Sequence, residues 1–392
     1  MNTAALPSPQ EPATGLDYTK RLSRLGQARF AVFFLAVLFY AILGCHVRVA
    51  SLAQRLTGSF YLQIALCWIA LWTACAAASL PISVFHYRLE RKFSLINAGM
   101  GRWLSDFAKS SAMLFLFTGT VIEIAFASDM LIPAYGWIVA GAACALLFVV
   151  VSRSMLWLLS LFYPVLPLND PALRERLTRL AKRVGLNVGT LYQWRISSRT
   201  RRVNALVTGI GSARRILLTD TLVAELSEDE VEAIVAHELG HCALHHVLTR
   251  LLLQGFIYCG IVFIINLAVL HDLVPFSDEN LGWRNLTLVP GFLLLWSFGQ
   301  IYGSLLMTSL SRRQEKAADL YSWNLMGRAE PFITAMRKTA ALNLIVFSKR
   351  SEWKYTHPAT ADRIAAAQAF AKANGEVTAS SGSAVAIGTE AN

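Results

Sequence analysis

Residues 227–246 read SEDEVEAIVAHELGHCALHH, and they are the most informative stretch of the chain. They contain His237-Glu238-Leu239-Gly240-His241, an H-E-x-x-H pattern. Residues four apart share one face of a helix, so the two imidazoles can reach a single metal ion. Glu238 then lies beside that ion, placed to take a proton from a water molecule. The pattern predicts a helical zinc site suited to hydrolysis.

The helix that carries this pattern has a recognisable start. Ser227 is followed three residues later by Glu230, which predicts a capping box, and acidic residues crowd the first turn as the helix dipole favours. We expect the helix to continue into the apolar run that begins at Leu251. Ten residues of helix from His241 cover about 15 Å, so the zinc site is predicted at the edge of a membrane.

The composition predicts an integral membrane protein that is mainly α-helical. Of the 392 residues, 55% are hydrophobic and only 16% are charged, too apolar for a fully solvated surface. Runs long enough to cross a bilayer need about 20 residues. Six apolar runs meet this length, and they centre on Phe30–Cys45, Phe60–Leu80, Ser111–Leu131, Tyr135–Ser152, Leu251–Leu270 and Leu286–Leu310.

The net charge of +11 reflects membrane topology, so we expect no nucleic-acid partner. Basic residues cluster in alternate connections between the apolar runs, the distribution that the positive-inside rule associates with cytoplasmic segments. This rule places both termini and the H-E-x-x-H segment in the cytoplasm. The clusters contain Lys20, Arg21, Arg24 and Arg29, then Arg88, Arg91, Lys92, Arg102 and Lys109, and later Arg312, Arg313 and Lys316.

The chain divides into four parts by composition. Polar, small residues predict disordered tails at 1–17 and 374–392, and 18–167 form a transmembrane region of about four spans. Residues 168–373 form a metallopeptidase domain with two further spans, at about 251–270 and 286–310. Within it, a helix and three β-rich runs predict an α+β arrangement, namely Pro171–Val184, Thr190–Ile196, Val203–Thr208 and Arg215–Thr219.

A zinc site with two histidines and a water needs one more protein ligand. His245 cannot supply it, because it lies two helical turns from His237, about 12 Å along the axis. Glu315, which follows the sixth apolar run, is the predicted third ligand. Asp319 lies one turn later on the same face, where its carboxylate could accept the outer N–H of a zinc-bound imidazole.

Four blocks of the sequence resemble the zinc-dependent (type I) CAAX prenyl proteases and the related HtpX membrane peptidases. The resemblance extends from about Pro167 to Ala366, roughly half of the chain. The blocks are Asn204-Ala205 with Arg214–Leu222, the HELGH pattern, Ser311–Asp319 in the form S-R-x-x-E-x-x-A-D, and His357-Pro358 with Arg363. The resemblance implies a multi-span helical bundle with a zincin-like (gluzincin) α+β catalytic domain on the cytoplasmic side.

The resemblance also implies roles for individual residues. His237, His241 and Glu315 would bind one zinc ion per chain, and Glu238 would be the general base toward a zinc-activated water. His357 would stabilise the oxyanion or hold the substrate carbonyl. Arg363 would orient the substrate, and Asn204, on an edge strand, would bind the substrate backbone.

The implied reaction is endopeptidase cleavage of C-terminal tripeptides from prenylated proteins. The partners would be a prenylated or membrane-associated peptide or protein and the lipid bilayer. The membrane would be the inner membrane in a bacterium and the endoplasmic reticulum in a eukaryote.

Three other interpretations remain open at the sequence level. One is an HtpX-like endopeptidase for membrane-protein quality control, and another is a non-catalytic membrane binding protein that retains the motif. A third, an intramembrane protease of the site-two type, would need the motif inside a span, and the acidic run Glu228–Glu232 argues against it. Glu123, within the third span, would either line a water-filled chamber or pair with Arg153.

Overall fold

The computed structural model describes residues 12–132, 135–186, 190–208, 214–275, 282–345 and 357–376. In these ranges the chain is mainly α-helical, as predicted, with one small sheet. The helices are α1 Pro12–Ile42, α2 Cys45–Leu56, α3 Phe60–Lys92, α4 Met100–Leu131, α5 Gly136–Arg153, α6 Met155–Ser160, α7 Pro171–Arg183, α8 Asp220–Glu225, α9 Glu228–Ala243, α10 His246–Leu270, α11 Leu288–Met326, α12 Glu330–Leu342 and α13 Thr360–Ala373. The strands are β1 Val165–Pro167, β2 Tyr192–Trp194, β3 Ala205–Thr208 and β4 Arg215–Thr219.

Six of these helices are long and apolar enough to cross a membrane, which confirms the predicted number of spans. They are α1, α3, α4, α5, α10 and α11. Helix α1 begins at Pro12, inside the segment predicted as a disordered tail. Proline suits the first turn of a helix because the N–H groups of that turn have no partner within the helix. Most of the predicted tails, residues 1–11 and 377–392, lies outside the described residues.

The six helices pack in a ring. Helix α1 contacts α3, and contacts then follow between α3 and α4, α4 and α5, α5 and α10, α10 and α11, and finally α11 and α1. The contact between α5 and α10 is close enough to require glycine, since a Cβ atom on Gly141 would lie 2.8 Å from the Cα of Cys259. In the third span, Glu123 is partly buried, and its Oε2 accepts no hydrogen bond from the described residues.

The α+β region lies between the fourth and fifth spans. Its sheet has the order β1-β2-β4-β3, so β3 is an edge strand. Strands β2 and β4 are parallel, whereas β1 pairs antiparallel with β2, and β3 pairs antiparallel with β4. Two of the three predicted strands are shorter than expected, and β1 lies where the sequence analysis predicted no strand.

The sheet packs on one face of α9. Val231, Val235, Leu239 and Cys242 recur every three or four residues along that helix and are buried in one cluster with apolar residues of β4. A second cluster covers Ala233 with residues of α12 and α13. Helix α9 is therefore held on two sides, and its histidines face the remaining side, toward α11.

Ion pairs attach the α+β region to the ends of the membrane helices. Arg202 Nη2 lies 2.6 Å from Glu90 Oε1 near the end of α3, and Arg199 Nη1 lies 2.5 Å from Asp106 Oδ2 near the start of α4. Six successive crossings bring the starts of α1, α4 and α10 to the same side as the ends of α3, α5 and α11. The α+β region contacts these ends, so it lies at one side of the membrane.

The predicted continuation of the motif helix into the fifth span is wrong. Helix α9 ends at Ala243, and His245 adopts a left-handed conformation with φ of 54° before α10 begins at His246. A non-glycine residue seldom adopts this conformation, so the break reflects the packing of α10 against neighbouring helices more than local sequence preference. The motif helix and the fifth span are separate elements.

The predicted capping box at the start of α9 is confirmed. Ser227 Oγ accepts from the Glu230 amide, and the Ser227 amide donates to Glu230 Oε2 at 2.8 Å. Lys338 Nζ lies 2.7 Å from the same carboxylate oxygen. Burial alone would raise the pKa of Glu230, but the Lys338 ammonium and the Ser227 amide outweigh it and lower that pKa.

We predict that Glu230→Gln lowers the free energy of unfolding at pH 7 by about 1 kcal/mol, the usual effect of losing a helix cap. A depressed pKa contributes stability above the unfolded value of about 4.3, and this contribution is lost as pH falls through the folded pKa. The difference in the free energy of unfolding between Glu230→Gln and the wild type should therefore become smaller below about pH 4. This difference can be measured by unfolding the wild type and the variant in detergent at several pH values, with Glu228→Gln in the same turn as the control. A difference in the free energy of unfolding that did not change with pH would contradict the prediction.

Candidate metal centre

The histidines of α9 meet the carboxylates of α11 because a glycine permits the approach. A Cβ atom on Gly240 would lie 3.2 Å from both Cα and O of Ala318, tighter than side chains usually tolerate. Ala318 lies between Glu315 and Asp319 in sequence. The missing side chain of Gly240 therefore lets α11 bring both carboxylates to the histidine face of α9.

His237, His241 and Glu315 form a cluster with the geometry of a metal site. One ligand atom from each lies within 4.8 Å of the others. His237 Nε2 is 3.4 Å from Glu315 Oε2, and His241 Nε2 is 3.3 Å from Glu315 Oε1. Tetrahedral ligands about 2 Å from a zinc ion lie about 3.3 Å from one another. The spacing of these donors therefore fits such an ion, and this is the one cluster of its kind in the part of the chain that the structure describes.

The surroundings of Glu315 also fit a bound cation. The residue is 1% exposed, and its Oε2 accepts no well-aligned hydrogen bond from the described residues. A buried carboxylate oxygen without a well-aligned donor is costly, and a metal ion would satisfy it. His357 Nδ1 lies 2.8 Å from the same oxygen, although the His357 side chain is 62% exposed.

A buried chain of polar groups lies behind His237. Its Nδ1 is 2.8 Å from Asp319 Oδ1, so the other ring nitrogen, Nε2, faces Glu315. Asp319 in turn accepts two hydrogen bonds from Arg363, at 2.6 and 2.8 Å. Burial alone would lower the pKa of His237, but its hydrogen bonds to Asp319 and Glu315 raise it to about 9. The two carboxylates therefore favour positive charge at this imidazole, and the same field favours a divalent cation.

Glu238 is placed differently from these buried groups. It lies between the two histidines in sequence, is partly exposed, and forms no hydrogen bond or ion pair with the residues that the structure describes. Its carboxylate is therefore available to exchange a proton with a molecule that enters the site.

The residues predicted to bind substrate lie in two environments. Asn204 is exposed just before edge strand β3, and its backbone N–H and C=O both pair with Thr219 on β4. Arg363 is 9% exposed, stacks over the Phe332 ring and is held by Asp319. The structure thus gives Arg363 a contact with Asp319 that the sequence did not indicate. Substrate binding by Asn204 and Arg363 stays a prediction.

Two further residues near the site were missed at the sequence level. His246 Nδ1 lies 2.8 Å from His241 Nδ1, and Arg250 Nη2 lies 3.6 Å from Glu315 Oε1. In an unbroken helix neither would be expected to reach the metal ligands. The available signal was the pair His245-His246, which follows His241 by four and five residues in the sequence.

Comparisons with known proteins agree with this arrangement. The model of peptidase family M48 matches residues 167–371, which is more than half of the chain and includes α9 and α11. CAAX prenyl protease 1 of Saccharomyces cerevisiae is 26% identical over 335 residues, covering 77% of this chain and 71% of that protein. A protease HtpX homologue of Verminephrobacter eiseniae is 28% identical over 179 residues, covering 42% of this chain and 61% of that protein.

The fold is likewise shared with a solved structure. The crystal structure of Ste24p from S. mikatae superposes with a TM-score of 0.76 at 21% identity, covering 93% of this chain and 92% of that one. The similarity therefore includes the six-helix ring as well as the α+β region. The chain belongs to peptidase family M48, and it is a multi-pass membrane metalloprotease.

Proposed function

We propose that the protein is a zinc endopeptidase in which His237, His241 and Glu315 hold one zinc ion and Glu238 is the general base. The observation that carries this proposal is the cluster of donor atoms from α9 and α11, whose spacing matches that of ligands around a tetrahedral zinc ion. The carboxylate of Glu238, between the two histidines in sequence, is available to exchange a proton. A bound zinc ion would supply a Lewis acid for the substrate carbonyl and lower the pKa of a water molecule to about 7.

The side chains around this cluster have separate tasks. Glu238 accepts the proton of the attacking water and later delivers it to the leaving amine. Asp319 accepts the outer N–H of His237 and so keeps Nε2 directed at the metal. His357, exposed at the mouth of the site, donates a hydrogen bond to the developing oxyanion.

Two residues are proposed to bind the substrate. Asn204 lies beside β3, whose outer edge has no strand partner among the described residues, so an extended peptide can add to the sheet there. Arg363 orients the bound peptide and also holds Asp319.

We further propose that the substrates are prenylated proteins cleaved near their C-termini. The relatives named CAAX prenyl proteases support this substrate class, and the yeast protein matches more of the chain than the HtpX homologue does. The basic residues near the α+β region support a cytoplasmic site. The membrane would be the inner membrane of a bacterium or the endoplasmic reticulum of a eukaryote.

Cleavage of matched peptides tests the substrate proposal. We expect the purified protein in detergent to release the C-terminal tripeptide from a farnesylated C-a-a-X peptide at least about tenfold faster than from the same peptide with a free cysteine, a difference of about 1.4 kcal/mol. Mass spectrometry identifies the bond that is cut. Equal cleavage of both peptides would favour an HtpX-like quality-control endopeptidase. Cleavage of neither, with zinc bound, would favour a non-catalytic binding protein.

A further inference from the structure

The break between α9 and α10 places a third histidine against the candidate metal centre. In a continuous α-helix, residues five apart are rotated by about 140° around the axis, so His246 would point away from His241. The left-handed residue His245 changes this relation, because it lies in the turn between the end of α9 at Ala243 and the start of α10 at His246 and redirects the chain there. As a result, His246 Nδ1 lies 2.8 Å from His241 Nδ1.

This contact has one chemically consistent arrangement when His241 binds a metal. His241 Nε2 faces Glu315, which leaves its Nδ1 to carry the hydrogen. His246 Nδ1 then accepts that hydrogen and must be unprotonated at this atom. His246 is 7% exposed, so water offers little competition for the bond.

The turn that carries His246 is itself fixed against α11. Gln314, the neighbour of Glu315 in sequence, donates from Nε2 to the His246 carbonyl at 3.5 Å. Its Oε1 accepts from Arg250 Nε at 2.6 Å, one helical turn further along α10. Gln314 therefore links the start of α10 to the helix that carries Glu315, and the ring of His246 is held where it meets His241.

We infer that His246 is a positioning residue for the metal ligand His241, as Asp319 is for His237. The inference rests on the proposed zinc role of His237, His241 and Glu315. The outer nitrogen of each ligating imidazole then has its own partner. The carboxylate of Asp319 on α11 holds His237, and the imidazole of His246 on α10 holds His241. Because α10 is also a membrane span, the orientation of His241 depends on how that span packs.

Metal binding by four proteins tests this inference without measuring activity. We expect His246→Leu, which removes the acceptor but keeps an apolar side chain, to weaken zinc affinity by about 10- to 100-fold. His246→Asn should restore most of it, because its amide oxygen is as many bonds from Cα as Nδ1 of histidine. His245→Asn is the matched control, since His245 is exposed and asparagine tolerates its left-handed backbone.

Zinc dissociation constants from chelator competition, together with the visible spectrum of the cobalt-loaded proteins, distinguish the outcomes. Weaker binding and an altered cobalt spectrum in His246→Leu, both reversed in His246→Asn, would support the inference. Equal affinity in His246→Leu and wild type would overturn it, as would equal losses in the leucine and asparagine variants. Failure of the wild type to bind zinc would instead overturn the proposed metal site.

Discussion

Glu238→Gln is expected to lower kcat by about 10²- to 10⁴-fold, the usual contribution of a general base, while the protein keeps its metal. Glutamine has the shape of glutamate but cannot take up a proton at neutral pH. The three atoms proposed to bind the metal belong to His237, His241 and Glu315, so the substitution leaves all of them in place. Peptide cleavage and metal content, measured on the same sample, check both halves of the prediction.

The control for this variant is Glu228→Gln, which makes the same chemical change on the same helix. The Glu228 side chain is 54% exposed, and its contact with Arg176 at 3.4 Å is a surface ion pair with little effect on stability. Its activity should stay close to that of the wild type. Retained activity in Glu238→Gln with metal bound would remove Glu238 from the chemistry, and loss of the metal would show instead that Glu238 supports the site structurally.

The features that could be predicted from sequence are those that local patterns determine. The six spans follow from long apolar runs. The start of α9 follows from Ser227 and Glu230, because the side chain of each accepts a hydrogen bond from the backbone N–H of the other. The two histidines alone leave zinc one protein ligand short, and Glu315 was the predicted third ligand because it follows the sixth apolar run on the same side of the membrane as the motif. Gly240 lies between the two histidines in the sequence, and α11 approaches α9 at this residue.

The features that were missed depend on contacts between distant segments. His245 adopts a conformation that its own side chain disfavours, so no local signal marks the end of α9 there. Strand β1 has three residues and exists only because β2 pairs with it. The partner of Arg363 is 44 residues away in sequence, and an isolated arginine near a histidine-proline pair does not indicate a buried carboxylate.

Arg363→Met is expected to have the largest effect on stability, lowering the free energy of unfolding by about 3–5 kcal/mol. The cost arises because Asp319, only 2% exposed, would keep a negative charge without its guanidinium partner. Zinc affinity should fall by about 10- to 100-fold as Asp319 loses the orientation that lets it hold His237. Urea unfolding in detergent and chelator competition measure the two quantities.

Asp319→Asn and the double variant separate this positioning role from substrate binding. Asparagine alone leaves the buried Arg363 without its nearest counter-charge. The double variant removes both charges and should regain part of the lost stability, with a coupling energy of about 1–3 kcal/mol. Zinc affinity should stay below wild type in the double variant, because a neutral amide accepts more weakly from His237 Nδ1 than a carboxylate does. Additive losses would show that the Arg363–Asp319 contact is energetically unimportant. If Arg363→Met instead raised KM and left stability and zinc affinity unchanged, Arg363 would act on the substrate alone.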